Sequence, residues 1–92
     1  MEFAWDPQKA LKNLRKHGVS FNEAATVFDD PLSITVADPE HSEDEDRYII
    51  VGMSKRGRVI IVSHAERGDR IRIISARELD REEREAYETG NY

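Results

Sequence analysis

Apolar positions follow two different periods along this chain, and the change falls at Pro31. Before it the spacing is helical. At 100° per residue, Ala10, Leu11 and Leu14 fall on one side, with Lys9, Lys12, Asn13 and Lys16 on the other. Asp6-Pro7 supplies the start, since the carboxylate accepts orphan N–H groups and proline suits the first helical position. His17-Gly18 supplies the stop, glycine taking the left-handed C′ conformation readily. A second helix follows at once. Ser20 with Glu23 reads as a capping box, and Val19 with Ala24 as a hydrophobic staple. Phe21, Ala24, Ala25 and Phe28 form its buried side, and Asp29-Asp30-Pro31 ends it. Ahead of both helices, Phe3 and Trp5 suggest a short opening strand or an apolar anchor.

Beyond Pro31 the period drops to two. Leu32, Ile34 and Val36 alternate with Ser33 and Thr35, the pattern of a half-buried strand. Residues 37–46 form an acidic loop containing Pro39. Two β-rich runs, 47–53 and 58–64, are joined by the turn Ser54-Lys55-Arg56-Gly57. A third, 70–76, follows a loop over 65–69 in which Gly68 is the turn residue. Asp80 with Glu83 then opens a last helix ending near Gly90, whose apolar residues are chiefly Leu79, Ala86 and Tyr87. A helix so polar is weakly docked or completed by a partner. The expected fold is α+β, with two N-terminal helices and a C-terminal helix packed on a mostly antiparallel four-stranded sheet. At 92 residues the chain is expected to be one domain, 1–92.

Composition narrows the class. There is no cysteine, hence no disulfide framework, thiolate metal cage or thiol nucleophile. No apolar stretch approaches the ~20 residues that span a bilayer, and no leader-like segment opens the chain. A cytoplasmic protein with no membrane contact is expected. The net charge is −5, but the charges are segregated. Acids gather in 38–46 and again in 78–88. Between them stand Lys55, Arg56, Arg58, Arg67, Arg70, Arg72 and Arg77, opposed only by Glu66 and Asp69. Lys9, Lys12, Arg15 and Lys16 have no acid among them. Such segregation points to a basic site with acidic surfaces that solvate the chain or face a basic partner.

The hairpins give a trial register. If the 54–57 turn closes symmetrically, Arg47 lies opposite His64. If the 65–69 loop closes the next hairpin, His64 lies opposite Arg70, and Arg72 opposite Val62. Alternation then places Arg47, Arg58, His64, Arg70 and Arg72 on one face, and Val59, Ile61, Ser63, Ile71, Ile73 and Ser75 on the other. A one-residue slip would exchange the faces.

Cations gathered on one face repel one another unless an anion sits among them, and guanidinium forks suit phosphate. RNA cleavage needs little more: a 2′-OH attacks the adjacent phosphorus while arginines stabilise the charge that develops. His64 is the first candidate for general acid or base and His17 the second, because imidazole titrates near neutrality. The plainer readings are a strand-end histidine at 64, a dipole-favoured helix-end histidine at 17 and a solvated histidine at 41. Lys9, Lys12 and Lys16 read as RNA contacts or as a solvated helix face. No glycine-rich phosphate loop or zinc-ligand spacing occurs, and the acids lie in a loop and on an exposed helix. Metal-independent chemistry without a cofactor is expected.

Several segments together resemble the BrnT-type toxins. Phe3-Ala4-Trp5-Asp6, Lys9, Asn13, Lys16-His17-Gly18-Val19-Ser20-Phe21, Glu23-Ala24 and Phe28 match the opening signature. Arg47 and Gly52 match the middle, and Arg72-Ile73-Ile74-Ser75-Ala76-Arg77, Glu83-Arg84 and Tyr87 the end. The resemblance implies a RelE-like fold and an endoribonuclease whose cutting of RNA arrests translation and growth. It implies neutralisation by a ribbon–helix–helix antitoxin, in a complex expected to be a heterotetramer that represses its own operon. Operator DNA would be touched only through the antitoxin. Carried over by residue, Arg47, Arg72 and Arg77 match positions associated with activity, and Lys16-His17 matches a further motif. His64 lies outside the signature. The alternative is a catalytically inactive RNA- or antitoxin-binding module, and a third possibility is a protein with no nucleic-acid contact.

Overall fold

Capping groups set the helix ends as their chemistry requires. The computed structural model describes residues 1–38, 40 and 46–90. Its elements are β1 (Glu2–Ala4), α1 (Pro7–His17), α2 (Phe21–Thr26), a 3-10 turn (Val27–Asp29), β2 (Ile34–Ala37), β3 (Arg47–Met53), β4 (Val59–Arg67), β5 (Arg70–Glu78) and α3 (Arg81–Thr89). The Asp6 carboxylate accepts from the Gln8 N–H at 2.8 Å, and Gly18, at φ 70°, returns its N–H to the Leu14 carbonyl. The Ser20 hydroxyl accepts from the Glu23 N–H. Glu23 does not complete that box, because its carboxylate is taken by Arg58 and Ser54. At α3 both halves of the Asp80/Glu83 box are formed. The second helix ends at Thr26, earlier than expected, and tightens into the 3-10 turn. The acidic loop and His41 lie mostly outside the described residues.

The strands form one sheet in the order β1-β5-β4-β3-β2. Four are antiparallel, and β1 runs parallel to β5 with Phe3 beside Ile71. The sheet thus has five strands where four were expected. The extra one is the short opening strand suggested at Phe3, and the expected sheet omits it because its partner lies far along the chain, with no hairpin to join them.

One face of the sheet is covered. Val19, Phe21, Ala24 and Val27 pack against Ile50, Ile60, Val62, Ile73 and Ala76, with Phe3, Trp5 and Phe28 around them. α1 and α2 lie against β5, and the 3-10 turn against β3. α3 stands outside this layer, a second departure from the expected arrangement. Its link is Arg77, which follows the core residue Ala76 and so points to the opposite face. Gly52 marks the tightest approach: a Cβ there would sit 2.9 Å from the Ser33 Cβ and 3.0 Å from the Asp30 carboxylate.

α1 is rotated from its expected orientation. Leu11 and Leu14 are 48% and 46% exposed, whereas Asn13 is 7% exposed. Beyond Arg72, among the described residues, the outer edge of β5 has no strand beside it, and Asn13 takes that place. Its Nδ2 donates to the Ala76 carbonyl at 2.8 Å and the Val19 carbonyl at 3.0 Å, and its Oδ1 accepts from the Ala76 N–H at 3.1 Å. Both backbone groups of a buried edge residue are thereby satisfied.

Candidate functional site

The observed register redraws the arginine face. Arg47 pairs across β3–β4 with Ala65, and Ala65 pairs across β4–β5 with Arg72. The two arginines therefore straddle one small residue on the open face, with backbones about 10 Å apart across two strand spacings. Ala65 is fully buried between them. One alternation step further, Arg67 and Arg70 pair with each other and continue the same face. Sequence reasoning left Arg67 in a loop, because the turn was taken as 65–69. The strands run on to a two-residue turn, Gly68-Asp69. A longer β4 would have placed Arg67 beside Ala65's side of the sheet.

His64 lies elsewhere. It pairs with Tyr48 and Ile73, not Arg47 and Arg70, and turns into the helix-covered core at 1% exposure. Its ring meets Phe28 edge-on at 4.8 Å and stacks on Tyr48 at 5.8 Å. Nε2 lies 3.3 Å from the Glu66 carboxylate, and Nδ1 has no hydrogen-bond partner among the described residues. Burial pushes its pKa below the usual value, against the opposing pull of Glu66. A neutral core imidazole results, and the expected grouping of His64 with the arginines does not form.

Arg58 is likewise removed from that face. It lies in the turn before β4 and clamps the buried Glu23 through Nε at 2.9 Å and through Nη2, which also donates to the Gly18 carbonyl at 3.0 Å. The Ser54 hydroxyl donates to the same carboxylate at 2.7 Å. The Arg58 hydrogen bond holds the Glu23 carboxyl below its usual range, outweighing burial. A buried carboxylate requires such a partner, which is why this arginine belongs to the frame.

Arg77 does share the open face, where its fork grips Glu83 at 2.7 and 2.9 Å. That contact, first among its causes, depresses the Glu83 pKa to about 2. Lys9, Lys12, Lys16 and His17 come together. They line a groove of about 320 Å³ along the outer side of β5, closed by Asn13, Ile74 and Ser75. At the other end of β5, Arg67, Arg70 and Arg72 line a cavity of about 500 Å³ with Glu2, Ala4 and Asp69. A basic surface thus follows β5 from the Gly68-Asp69 turn to the lysine groove. It can hold a polyanionic strand by charge and by guanidinium forks.

Comparison with known proteins places the chain in a family. The family model described as "Ribonuclease toxin, BrnT, of type II toxin-antitoxin system" matches residues 5–83. Among solved structures, the chain is similar to the Brucella abortus ribonuclease toxin BrnT, with a TM-score of 0.65 and 21% sequence identity. That match covers 88% of this chain and 99% of the other. No curated protein matches the sequence.

Proposed function

This chain belongs to the BrnT family of ribonuclease toxins of type II toxin–antitoxin systems, and on that premise we propose that it cleaves RNA without a metal through Arg47 and Arg72. The observation that carries the reading is the placement of these two arginines on either side of Ala65. A phosphodiester lying over Ala65 is within reach of both forks. The ribose 2′-oxygen forms a bond to phosphorus, the bond from phosphorus to the 5′-oxygen breaks, and a 2′,3′-cyclic phosphate remains. Both arginines hold the charge that builds on the phosphoryl oxygens. Of the two described histidines, His64 is buried, so His17 is assigned the proton transfer, with Lys9, Lys12 and Lys16 holding the flanking backbone. Arg70 extends the RNA contact, while Arg58 is left out of it. Arg77 is assigned a positioning role, fixing α3 beside the site.

Family membership brings an antitoxin partner with it. The reading makes that partner a ribbon–helix–helix protein, assembled as a heterotetramer that represses its operon. It makes RNA loss in the cytoplasm the cause of translation arrest, and the fold RelE-like. The direct test incubates purified protein with total RNA in EDTA and maps the new ends. Cyclic-phosphate and 5′-hydroxyl ends are expected. RNA that stays intact but binds, with affinity falling steeply as salt rises, would replace catalysis by a binding module. No binding at all would overturn both.

A further inference from the structure

The cavity at the β1 end of the open face has a wall of mixed charge. Arg67 and Arg70 face each other across the Gly68-Asp69 turn, and Arg72 follows on the same side. Glu2 and Asp69 bring carboxylates into the same wall. Their backbones are joined at the sheet edge, and the Glu2 side chain lies near an arginine of the wall. The Glu2 N–H donates to the Asp69 carbonyl at 3.1 Å, and the Glu2 carboxylate lies 3.5 Å from Arg70. A subsite made only for phosphate would gain nothing from two carboxylates, which repel it. A nucleobase uses both kinds of group, because its edges carry acceptors and donors.

Guanine fits that wall best. Its O6 and N7 are adjacent acceptors that take an arginine fork, the commonest specific contact to a base edge. Its N1–H and N2–H₂ are adjacent donors that match the two oxygens of one carboxylate. Adenine sets a donor beside N7, cytosine offers a carboxylate one amino group, and uracil offers none. At about 500 Å³ the cavity is within the ~300–1,000 Å³ usual for small-ligand sites. Arg72 lines this cavity and also flanks Ala65, so a base seated here belongs to a nucleotide next to the phosphate over Ala65. We propose that this cavity is a guanine subsite that directs the toxin to cut single-stranded RNA beside guanosine. The inference rests on the ribonuclease reading for the cut, but not for the binding.

The test separates the two. Fluorescently labelled oligonucleotides with 2′-fluoro riboses throughout have no 2′-OH to attack. Four of them, differing at one base, are titrated by anisotropy, and their 2′-OH counterparts are assayed for cleavage. Guanine is expected to bind on the order of tenfold tighter than adenine, cytosine or uracil, within the roughly five- to 150-fold by which a good bidentate contact discriminates. Inosine, lacking N2–H₂, should lose part of the advantage. In the double variant Glu2→Gln/Asp69→Asn the guanine-to-adenine ratio should fall towards one, with circular dichroism confirming the fold. Equal affinity for all four bases, or a preference that survives the double variant, overturns the subsite. If it is absent while the 2′-OH oligonucleotides are cut, the ribonuclease reading stands alone. A guanine preference without cutting leaves the subsite and removes the ribonuclease. Negligible binding of all four overturns the subsite whether or not RNA is cut.

Discussion

The two faces of this sheet treat cations in opposite ways. On the helix-covered side, Arg58 is committed to the buried Glu23 carboxylate through Nε and Nη2 and to the Gly18 carbonyl, and His64 is held neutral by burial. On the open side, among the described residues, Arg47, Arg67, Arg70 and Arg72 cluster around Ala65 and the adjoining turn, with Glu2 and Asp69 as the acids of that cavity. Arginine therefore has two uses here, and its neighbours in sequence do not distinguish them. What does is a carboxylate 35 positions away, Glu23, which reaches Arg58 only once α2 lies beside the turn before β4.

That contrast is breakable at each side. Arg58→Ala should have the largest effect on stability, about 3–5 kcal/mol in urea unfolding, because it strands the Glu23 charge in the interior. The salt dependence of RNA binding should not change. A nearly normal unfolding midpoint with a shallower salt slope would place Arg58 among the RNA contacts and erase the distinction. Arg72→Ala should behave in reverse. Cleavage should fall on the order of 10²–10³-fold, the loss typical of one electrostatic donor to a transition state. Stability should fall by much less than in Arg58→Ala, because no buried charge is stranded. A folded Arg72→Ala protein that cuts RNA at the normal rate would move the reacting phosphate away from Ala65.

The helices were legible because their signals are local. Asp6-Pro7, His17-Gly18 and Asp80 with Glu83 act within one turn, and each does what its chemistry implies. The sheet was harder, since its faces depend on where the hairpins turn. Pairing Arg70 with Arg67 instead of His64 moves β4 by an odd number of positions. The register also shifts between Ser63 and His64, leaving Ile74 unpaired. An odd slip sends His64 into the core and brings Ala65 between the arginines. Arg47, Arg70 and Arg72 keep a common face regardless, so the cationic site survived an incorrect register while its expected histidine did not. Asn13 was misread for another reason. An amide beside Lys9, Lys12 and Lys16 looks like a solvated position, and nothing local shows that β5 needs an edge partner there. Asn13→Ala should cost about 1–3 kcal/mol by leaving buried Ala76 groups unpaired, and hydrogen exchange at the Ala76 amide should accelerate. Unchanged protection there would mean that α1 is held by its packing alone.

The smallest effect concerns α3, which joins the open face through Arg77. Arg77 and Glu83 are both partly exposed, so their pair contributes no more than about 1 kcal/mol. Its pH signature is nevertheless distinctive. Glu83 is lowered from an ordinary 4.5 to about 2 in the folded chain, so its stabilisation is complete above 4.5. As the pH falls from there towards 2, the unfolded chain takes up the proton first and the contribution is lost. Glu23, also lowered by its arginine, adds to the same acid limb, so only a difference curve isolates α3. Glu83→Gln retains the oxygen that accepts from the Asp80 N–H but carries no charge. Subtracting its stability from that of the wild type should give a small gap, flat above pH 4.5 and closing below it. Trypsin should cut Glu83→Gln faster at Arg81 and Arg84. A gap that persists undiminished at pH 2 would show that α3 is held by contacts other than this ion pair.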